Sequence, residues 1–210
     1  MKVILLSKPR YDEEEINLLK IMFESGLETY HLRKPRITTN QMKNFLDKIP
    51  SQFHSKIVIH SHHHLARKYN LKGIHFTRSH FKNTFKNCWR KLMLSYFKPD
   101  VIKTRSFTSL ASVFEKDEQQ YEYVMLYPVF DALTGTFQSG YHEQGIRNVI
   151  QKSNYKIVAR GGVDAKKIEH IINLGFYGLV LNSSIWKTKD PLASFNQFME
   201  KCKQLNMHVE

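Results

Sequence analysis

Two strand ends near the carboxyl terminus carry residues suited to phosphate binding. Gly161 and Gly162 follow one predicted strand, and Asn182 and Ser183 follow the next strand, about twenty residues later. Glycine lets backbone approach a ligand closely, and the start of a helical turn offers unpaired N–H groups beside a positive dipole end. This pattern predicts a phosphate-binding site, although a pair of glycines also suits an ordinary tight turn.

A run of histidines raises a second kind of chemistry. His60 and His62 would share one face if their strand continued, and His31 and His75 on neighbouring strands would lie nearby. Histidine pairs of this spacing bind zinc, which needs three or four protein ligands. No acidic ligand follows the last strand, so a polar rim or a helix start competes with this interpretation. Asp131 is either a proton acceptor or a turn former.

Alternating strand-like and helix-like segments must position these residues. This alternation from end to end indicates an α/β protein with a parallel sheet, and eight units favour a single (β/α)8 TIM barrel over residues 1–210. An open flavodoxin-like sheet is the alternative. The predicted strands are Val3–Leu6, Thr29–Arg33, Lys56–His60, Gly73–Phe76, Val101–Thr104, Tyr123–Val129, Lys156–Ala159 and Gly178–Leu181. The predicted helices are Asp12–Ser25, Thr39–Ile49, His63–Tyr69, Lys91–Phe97, Ser109–Glu118, His142–Lys152, Ala165–Leu174 and Leu192–Leu205.

The amino-acid composition limits the chemical classes of binding partner that this protein is expected to have. The 210 residues include 32 Lys and Arg against 19 Asp and Glu, a net charge of +13 that favours anionic partners. The basic residues are dispersed and accompany no nucleic-acid-binding motif, so phosphorylated small molecules are expected before nucleic acid. No apolar run suits a membrane helix or a secretory signal. Cys88 and Cys202 form no disulfide framework, and a cytoplasmic protein is expected.

The segment from Val158 to Ile185, VARGGVDAKKIEHIINLGFYGLVLNSSI, resembles the end of proteins of the thiamine phosphate synthase/TenI superfamily. In that family a glycine turn, a helix and a following strand end hold the phosphate of the thiazole substrate. The resemblance implies a TIM barrel. It also implies that Gly161, Gly162, the backbone of Asn182 and Ser183 bind this phosphate.

Earlier segments resemble the family in the same order. Tyr30–Lys34 is similar to the Gln-x-Arg-x-Lys segment that meets the pyrophosphate of the pyrimidine substrate, with His31 in the place of Gln and Pro35 in the place of Lys. The resemblance implies that His31, Arg33 and Lys34 bind the diphosphate and that Arg33 is catalytic. The planar fork of Arg suits phosphate oxygens.

Three further segments carry the resemblance through the middle of the chain. Gly73–Phe76 is similar to Gly-Val-His-Leu, and Tyr127–Phe130 is similar to Gly-Pro-Val-Phe. Ser106 matches the serine of a G-x-S-x-H turn, which implies a second catalytic residue. Thr134 and Thr136 match a Thr-x-Thr-Lys segment, which implies that they bind the reacting groups.

Some positions depart from the family pattern. The family's Mg²⁺ is held by an Asn-Asp pair and a further Asp, and here these places contain His60-Ser61 and Thr77–His80. Mg²⁺ is therefore implied by the resemblance, while its usual carboxylate ligands are missing. The histidine used by TenI tautomerases is replaced by Pro128.

The resemblance implies a transferase that couples hydroxymethylpyrimidine pyrophosphate to thiazole phosphate and releases pyrophosphate. Two alternatives stay open: a TenI-like binder of thiazole phosphate with lost or altered activity, and a His-ligated metalloenzyme. Neither a nucleic-acid nor a membrane partner is expected, and a homodimer stays open. The polar segment Ser79–Arg90 is a predicted loop whose role as a lid also stays open.

Overall fold

Eight parallel strands, paired in sequence order, close into a barrel. The computed structural model describes residues 1–77, 100–115, 117, 119–133 and 140–205. The strands are β1 (Lys2–Leu6), β2 (Tyr30–Leu32), β3 (Ile57–Ile59), β4 (Gly73–Phe76), β5 (Ile102–Phe107), β6 (Tyr123–Leu126), β7 (Ile157–Arg160) and β8 (Gly178–Leu181). The barrel confirms the predicted fold class and excludes the open sheet.

Helices alternate with these strands, and several begin at a side-chain cap. Asp12 accepts hydrogen bonds from the amides of Glu14 and Glu15, and Thr38 forms a capping box with Gln41. The α-helices of the described residues are α1 (Glu13–Glu24), α2 (Thr39–Asp47), α3 (Leu65–Lys68), α4 (Glu143–Lys152), α5 (Ile168–Leu174), α6 (Ser183–Trp186) and α7 (Pro191–Gln204). Short 3₁₀ turns span Ser51–Lys56, Ala111–Phe114 and Ala165–Lys167.

Two compact units carry the hydrophobic cores of the described chain. Residues 6–105 form one unit, in which Phe23 stacks on Phe53 with ring centroids 5.1 Å apart. Residues 1–5 and 106–210 form the other unit. In it β6 pairs with β7, β7 with β8, and β8 with β1, and every pair is parallel. Strand residues are buried, as expected for parallel strands covered by helices, except that β5 is mostly half-buried and Arg160 at the end of β7 is half-buried.

The predicted elements differ from the structure at a few places. The helix predicted at Ser109–Glu118 was wrong, because the described part of this segment contains only the 3₁₀ turn Ala111–Phe114. β6 ends at Leu126, before Pro128, which has no N–H for the ladder. The segments Ser79–Arg90 and Lys91–Phe97 lie outside the described residues. Among the helices described, none has the length and apolarity needed to cross a bilayer.

The close pairing of β1 and β8 requires glycine at position 178. A Cβ atom at Gly178 would lie 2.4 Å from the carbonyl oxygen of Lys2, the residue that pairs with it across the two strands. The backbone of both strands would have to separate to admit a methyl group.

We expect Gly178→Ala to lower the free energy of unfolding by about 1–3 kcal/mol, the usual cost of overpacking a filled interior. Gly140→Ala is the matched control, because a Cβ atom there meets nothing within 4 Å. Urea unfolding of both variants measures the difference. Equal midpoints for the two variants would contradict the close approach of β1 and β8.

Candidate active site

The turn after β7 requires glycine at two successive positions. Gly161 and Gly162 have φ angles of +94° and +66°, in the left-handed region that other residues rarely adopt. A Cβ atom at Gly162 would lie 2.1 Å from the carbonyl oxygen of Asp131. The turn therefore packs against the segment that follows β6, and both backbone conformation and packing exclude larger residues.

The register of β7 and β8 brings the two predicted phosphate-binding segments together. Arg160 pairs with Val180, and two residues further along each strand lie Gly162 and Asn182. The carbonyl of Asn182 accepts the amide protons of Ile185 and Trp186 and so begins α6. The two strand ends expected to bind phosphate are thus neighbours.

Hydrogen-bond donors remain available at this pair of strand ends. The carbonyls of Arg160 and Gly161 accept from Val129 and Phe130, whereas no acceptor within the described residues takes the amide protons of Gly161 and Gly162. The buried hydroxyl of Ser184 likewise has no hydrogen-bond partner in the described chain. Such donors suit the oxygens of a phosphate group.

A basic residue that was not among the predicted ligands, Arg160, directly precedes the turn. Arg160 is the last residue of β7, and its guanidinium carbon lies 4.7 Å from the ring centroid of Tyr127. Stacking on an aromatic ring helps to hold a guanidinium group in place. The signal in the sequence was the position of Arg160, directly before the two glycines at a strand end.

Lys34, predicted to bind diphosphate, directs its ammonium group to acceptors within the protein. The side chain is buried, and its ammonium group donates to the carboxylate of Glu15 and to the carbonyl oxygens of Lys8 and Arg10, at 3.0 and 2.6 Å. An ammonium group has three donors, and these partners use all three. The structure therefore gives Lys34 a role in holding the end of β2 against the start of α1.

Burial dominates the electrostatics of this pair. Loss of solvent raises the pKa of Glu15 and lowers that of Lys34, while the attraction between the two charges acts in the opposite direction for each. The hydroxyl of Tyr30 donates to Glu15 at 2.7 Å, and burial, followed by the charge of Glu15, raises the pKa of that phenol. Glu15 was not singled out from the sequence, where it was one of three acidic residues at a helix start.

Arg33, also predicted to bind the diphosphate, directly follows β2. Its backbone is fixed by Ser7, whose hydroxyl accepts from the Arg33 amide at 2.8 Å and donates to its carbonyl at 2.9 Å. The side chain is half-buried, and its guanidinium group belongs to none of the ion pairs found between described residues. The other predicted anion ligand on this strand, His31, is buried.

Three histidines, His31 on β2, His60 directly after β3 and His75 on β4, lie close together. They are not the predicted pair of His60 and His62. Ligand atoms of His31, His60 and His75 all lie within 4.8 Å of one another, so the expectation that His31 and His75 lie near His60 is confirmed. The predicted shared face of His60 and His62 is wrong. β3 ends at Ile59, and His62, at φ +53°, has its ring nitrogens near Thr39 and the Ile37 carbonyl instead.

The residues at the positions implied for Mg²⁺ do not fit that ion. Mg²⁺ prefers carboxylate and phosphate oxygens in an octahedral arrangement. Here the chain supplies the imidazole of His60 and the hydroxyl groups of Ser61 and Thr77. Imidazole nitrogen is a ligand of zinc-like ions, so we derive no catalytic step through Mg²⁺.

The remaining predicted residues are placed only in part. Ser106 lies half-buried on β5, two residues beyond Thr104, whose buried hydroxyl contacts His75. Thr134 and Thr136 lie outside the described residues. Asp131 follows β6, where its carbonyl packs against Gly162. Thr104 was not predicted, because a threonine within a strand carries no signal in the sequence.

Comparisons with known proteins agree with this geometry. The family model described as thiamine monophosphate synthase matches residues 3–185. A thiamine-phosphate synthase of Methanococcus maripaludis is 20% identical over 207 residues, which are 97% of this chain and 96% of that protein. The crystal structure of thiamine phosphate pyrophosphorylase from Bacteroides thetaiotaomicron is 26% identical, with a TM-score of 0.75 over 99% of this chain and 100% of that chain.

A more distant likeness shows the fold alone. Thiamine phosphate pyrophosphorylase from Pyrococcus furiosus has a TM-score of 0.75 at 14% identity, over 97% of this chain and 96% of that chain.

The buried pair of Lys34 and Glu15 allows a test of its structural role. We expect Lys34→Met to lower the free energy of unfolding by about 3–5 kcal/mol, because the carboxylate is left buried without its counter-charge. Lys48→Met, which removes an exposed partner of Glu13, should leave stability nearly unchanged.

The deficit should also depend on pH. Burial raises the folded-state pKa of Glu15 above 4.5. Protonation of Glu15 therefore adds to the free energy of unfolding below that value, and this addition is lost as pH rises through the folded-state pKa. Without Lys34 this pKa rises further, so the deficit of Lys34→Met should grow from mildly acidic to mildly alkaline pH. Urea unfolding across this range measures it, and a deficit that is constant with pH would contradict the assignment.

Proposed function

Because the chain belongs to the thiamine monophosphate synthase family, we propose that it couples hydroxymethylpyrimidine pyrophosphate to thiazole phosphate and releases pyrophosphate. The observation that carries this proposal is the glycine turn after β7, in register with the start of α6 after β8. Phosphate sites of TIM barrels commonly lie after these two strands. As a biosynthetic enzyme for small phosphorylated substrates, the protein would act in the cytoplasm.

The thiazole phosphate binds to the glycine turn in this proposal. The amides of Gly161 and Gly162 donate to its oxygens, together with the backbone of Asn182 and the hydroxyl of Ser183. Arg160 adds a positive charge at the end of the same strand. The support for this assignment is that no acceptor within the described residues takes the amide protons of Gly161 and Gly162, and that the hydroxyl of Ser184 beside Ser183 has no partner there.

The diphosphate of the pyrimidine substrate binds to Arg33 in this proposal. In the reaction, the bond between the pyrimidine methylene carbon and a diphosphate oxygen breaks, and a bond from the thiazole nitrogen to that carbon forms. The electron pair of the broken bond leaves with pyrophosphate, so negative charge grows on the leaving group. Arg33 stabilises that charge, Ser106 contacts the reacting groups, and the remaining contribution is positioning.

Lys34 has a positioning role in this site and does not itself bind the substrate in this proposal. Its bonds to Glu15 and to two carbonyl oxygens hold the residue next to Arg33 in place, and the reciprocal bonds with Ser7 fix the Arg33 backbone. Preorganisation of this kind reduces the cost of binding an anion.

The proposal is tested by product formation from the two substrates. Purified protein is incubated with both, in the presence of Mg²⁺ or of Zn²⁺, and thiamine phosphate is measured by liquid chromatography. Formation of thiamine phosphate with release of pyrophosphate supports the proposal. Calorimetric binding of thiazole phosphate to folded protein, with no product under either condition, would overturn it and indicate a binding protein.

We expect Arg33→Ala to weaken binding of the pyrimidine diphosphate by about 10- to 100-fold, since hydrogen bonds to charged groups contribute about 1.5–3 kcal/mol and about 1.4 kcal/mol corresponds to a factor of ten. Binding of thiazole phosphate should not change. Calorimetric titration of both ligands measures the two affinities.

Arg36→Ala is the matched control, because it removes the same charge from an exposed position on the same loop. An equal loss of diphosphate binding in the two variants would show that general charge, and not the position of Arg33, is responsible.

A further inference from the structure

The neighbouring strands β2, β3 and β4 bring three imidazole groups into one buried cluster that the proposed reaction does not use. His31 Nδ1 and His60 Nε2 are 2.9 Å apart, and the rings of His60 and His75 stack with centroids 4.1 Å apart. All three side chains are buried, with exposures of 0%, 3% and 1% in chain order. Burying polar rings costs free energy unless hydrogen bonds or a bound metal ion compensate for the lost water, so a buried group of three imidazoles indicates a function.

The alternation of side chains along β2 places His31 on the inner side of the sheet. Tyr30 and His31 are consecutive residues and point to opposite faces. Tyr30 reaches Glu15 on α1, the helix that covers the outer face of this strand. His31 therefore points away from α1, and its contacts place His60 and His75 on the same side.

Thr104 orients one of the three rings. Its hydroxyl donates to the carbonyl oxygen of Ile74 at 3.3 Å, so at 2.8 Å it acts as acceptor toward His75 Nδ1. His75 then carries its proton on Nδ1 and presents the lone pair of Nε2. A hydrogen bond that fixes the tautomer of a histidine is the usual companion of a metal-binding imidazole.

We propose that His31, His60 and His75 bind one transition-metal ion of the zinc class. Metal–nitrogen bonds of about 2.0–2.1 Å in a tetrahedral site separate the ligand nitrogens by about 3.4 Å. The ligand atoms of the cluster lie within 4.8 Å of one another, so small ring rotations complete the site. Three protein ligands leave the fourth position for water or for an anionic oxygen, the pattern of catalytic zinc sites.

The chemistry of the ligand set selects the ion. Three imidazole nitrogens suit Zn²⁺, Co²⁺ or Ni²⁺ and do not suit Mg²⁺, which keeps oxygen ligands. The site also differs from the predicted pair, because His62 is held at the start of α2 by Thr39 and Ile37.

The test uses the metal alone, so its result does not depend on turnover. Tag-free, chelator-treated full-length protein is titrated with Zn²⁺ by calorimetry, and Co²⁺ loading is followed by visible absorption. We expect one tight equivalent of Zn²⁺ and the absorption bands of tetrahedral Co²⁺. His31→Gln and His75→Gln should each lose the tight equivalent and the Co²⁺ bands.

His62→Gln is the matched control and should keep both signals, because this residue neighbours the cluster in sequence but lies outside it. Circular dichroism of each variant confirms that the chain has folded. Absence of a tight equivalent in the unaltered protein would overturn the proposal. So would its persistence in folded His31→Gln and His75→Gln, or its loss in His62→Gln.

Discussion

Parallel pairing of the strands is the constraint on which the sites depend. Because every strand runs in the same direction, the residues that follow the strands all lie at the same edge of the sheet, however far apart they are in sequence. Gly162 and Asn182 become neighbours in this way, through the register of β7 and β8. The same pairing of β2, β3 and β4 gathers His31, His60 and His75. A slip of one residue in either register would turn these side chains to the other face.

The buried ion pair of Lys34 and Glu15 shows how charge serves position rather than stability. Removing two charges from water costs free energy, which hydrogen bonds to Tyr30 and to nearby backbone partly offset. What the pair provides is a fixed connection between the end of β2 and the start of α1, adjacent to Arg33. A flexible lysine at this place would add charge but would not fix the backbone next to Arg33.

Much of the fold could be predicted from the sequence, because apolar strand runs and capped helix starts are local signals. All eight strands were found, and the turn after β7 could be predicted because its two glycines are visible in the sequence, while its binding of phosphate stays a prediction. The role of Lys34 could not be found, because it depends on which way one side chain points at the end of a strand. The histidine cluster was predicted in part. Its actual members follow from β3 ending at Ile59, a boundary that the run of histidines conceals.

The charge of a zinc-class ion would connect the proposed histidine site to Arg33, the residue that directly follows β2. Three neutral imidazoles leave both positive charges of such an ion uncompensated, and a buried dication needs an anionic fourth ligand. Arg33 lies two residues beyond His31, so an anion held by its guanidinium group would approach from the end of β2. An anion with more than one charged oxygen meets both demands, with one oxygen on the guanidinium group and another on the ion.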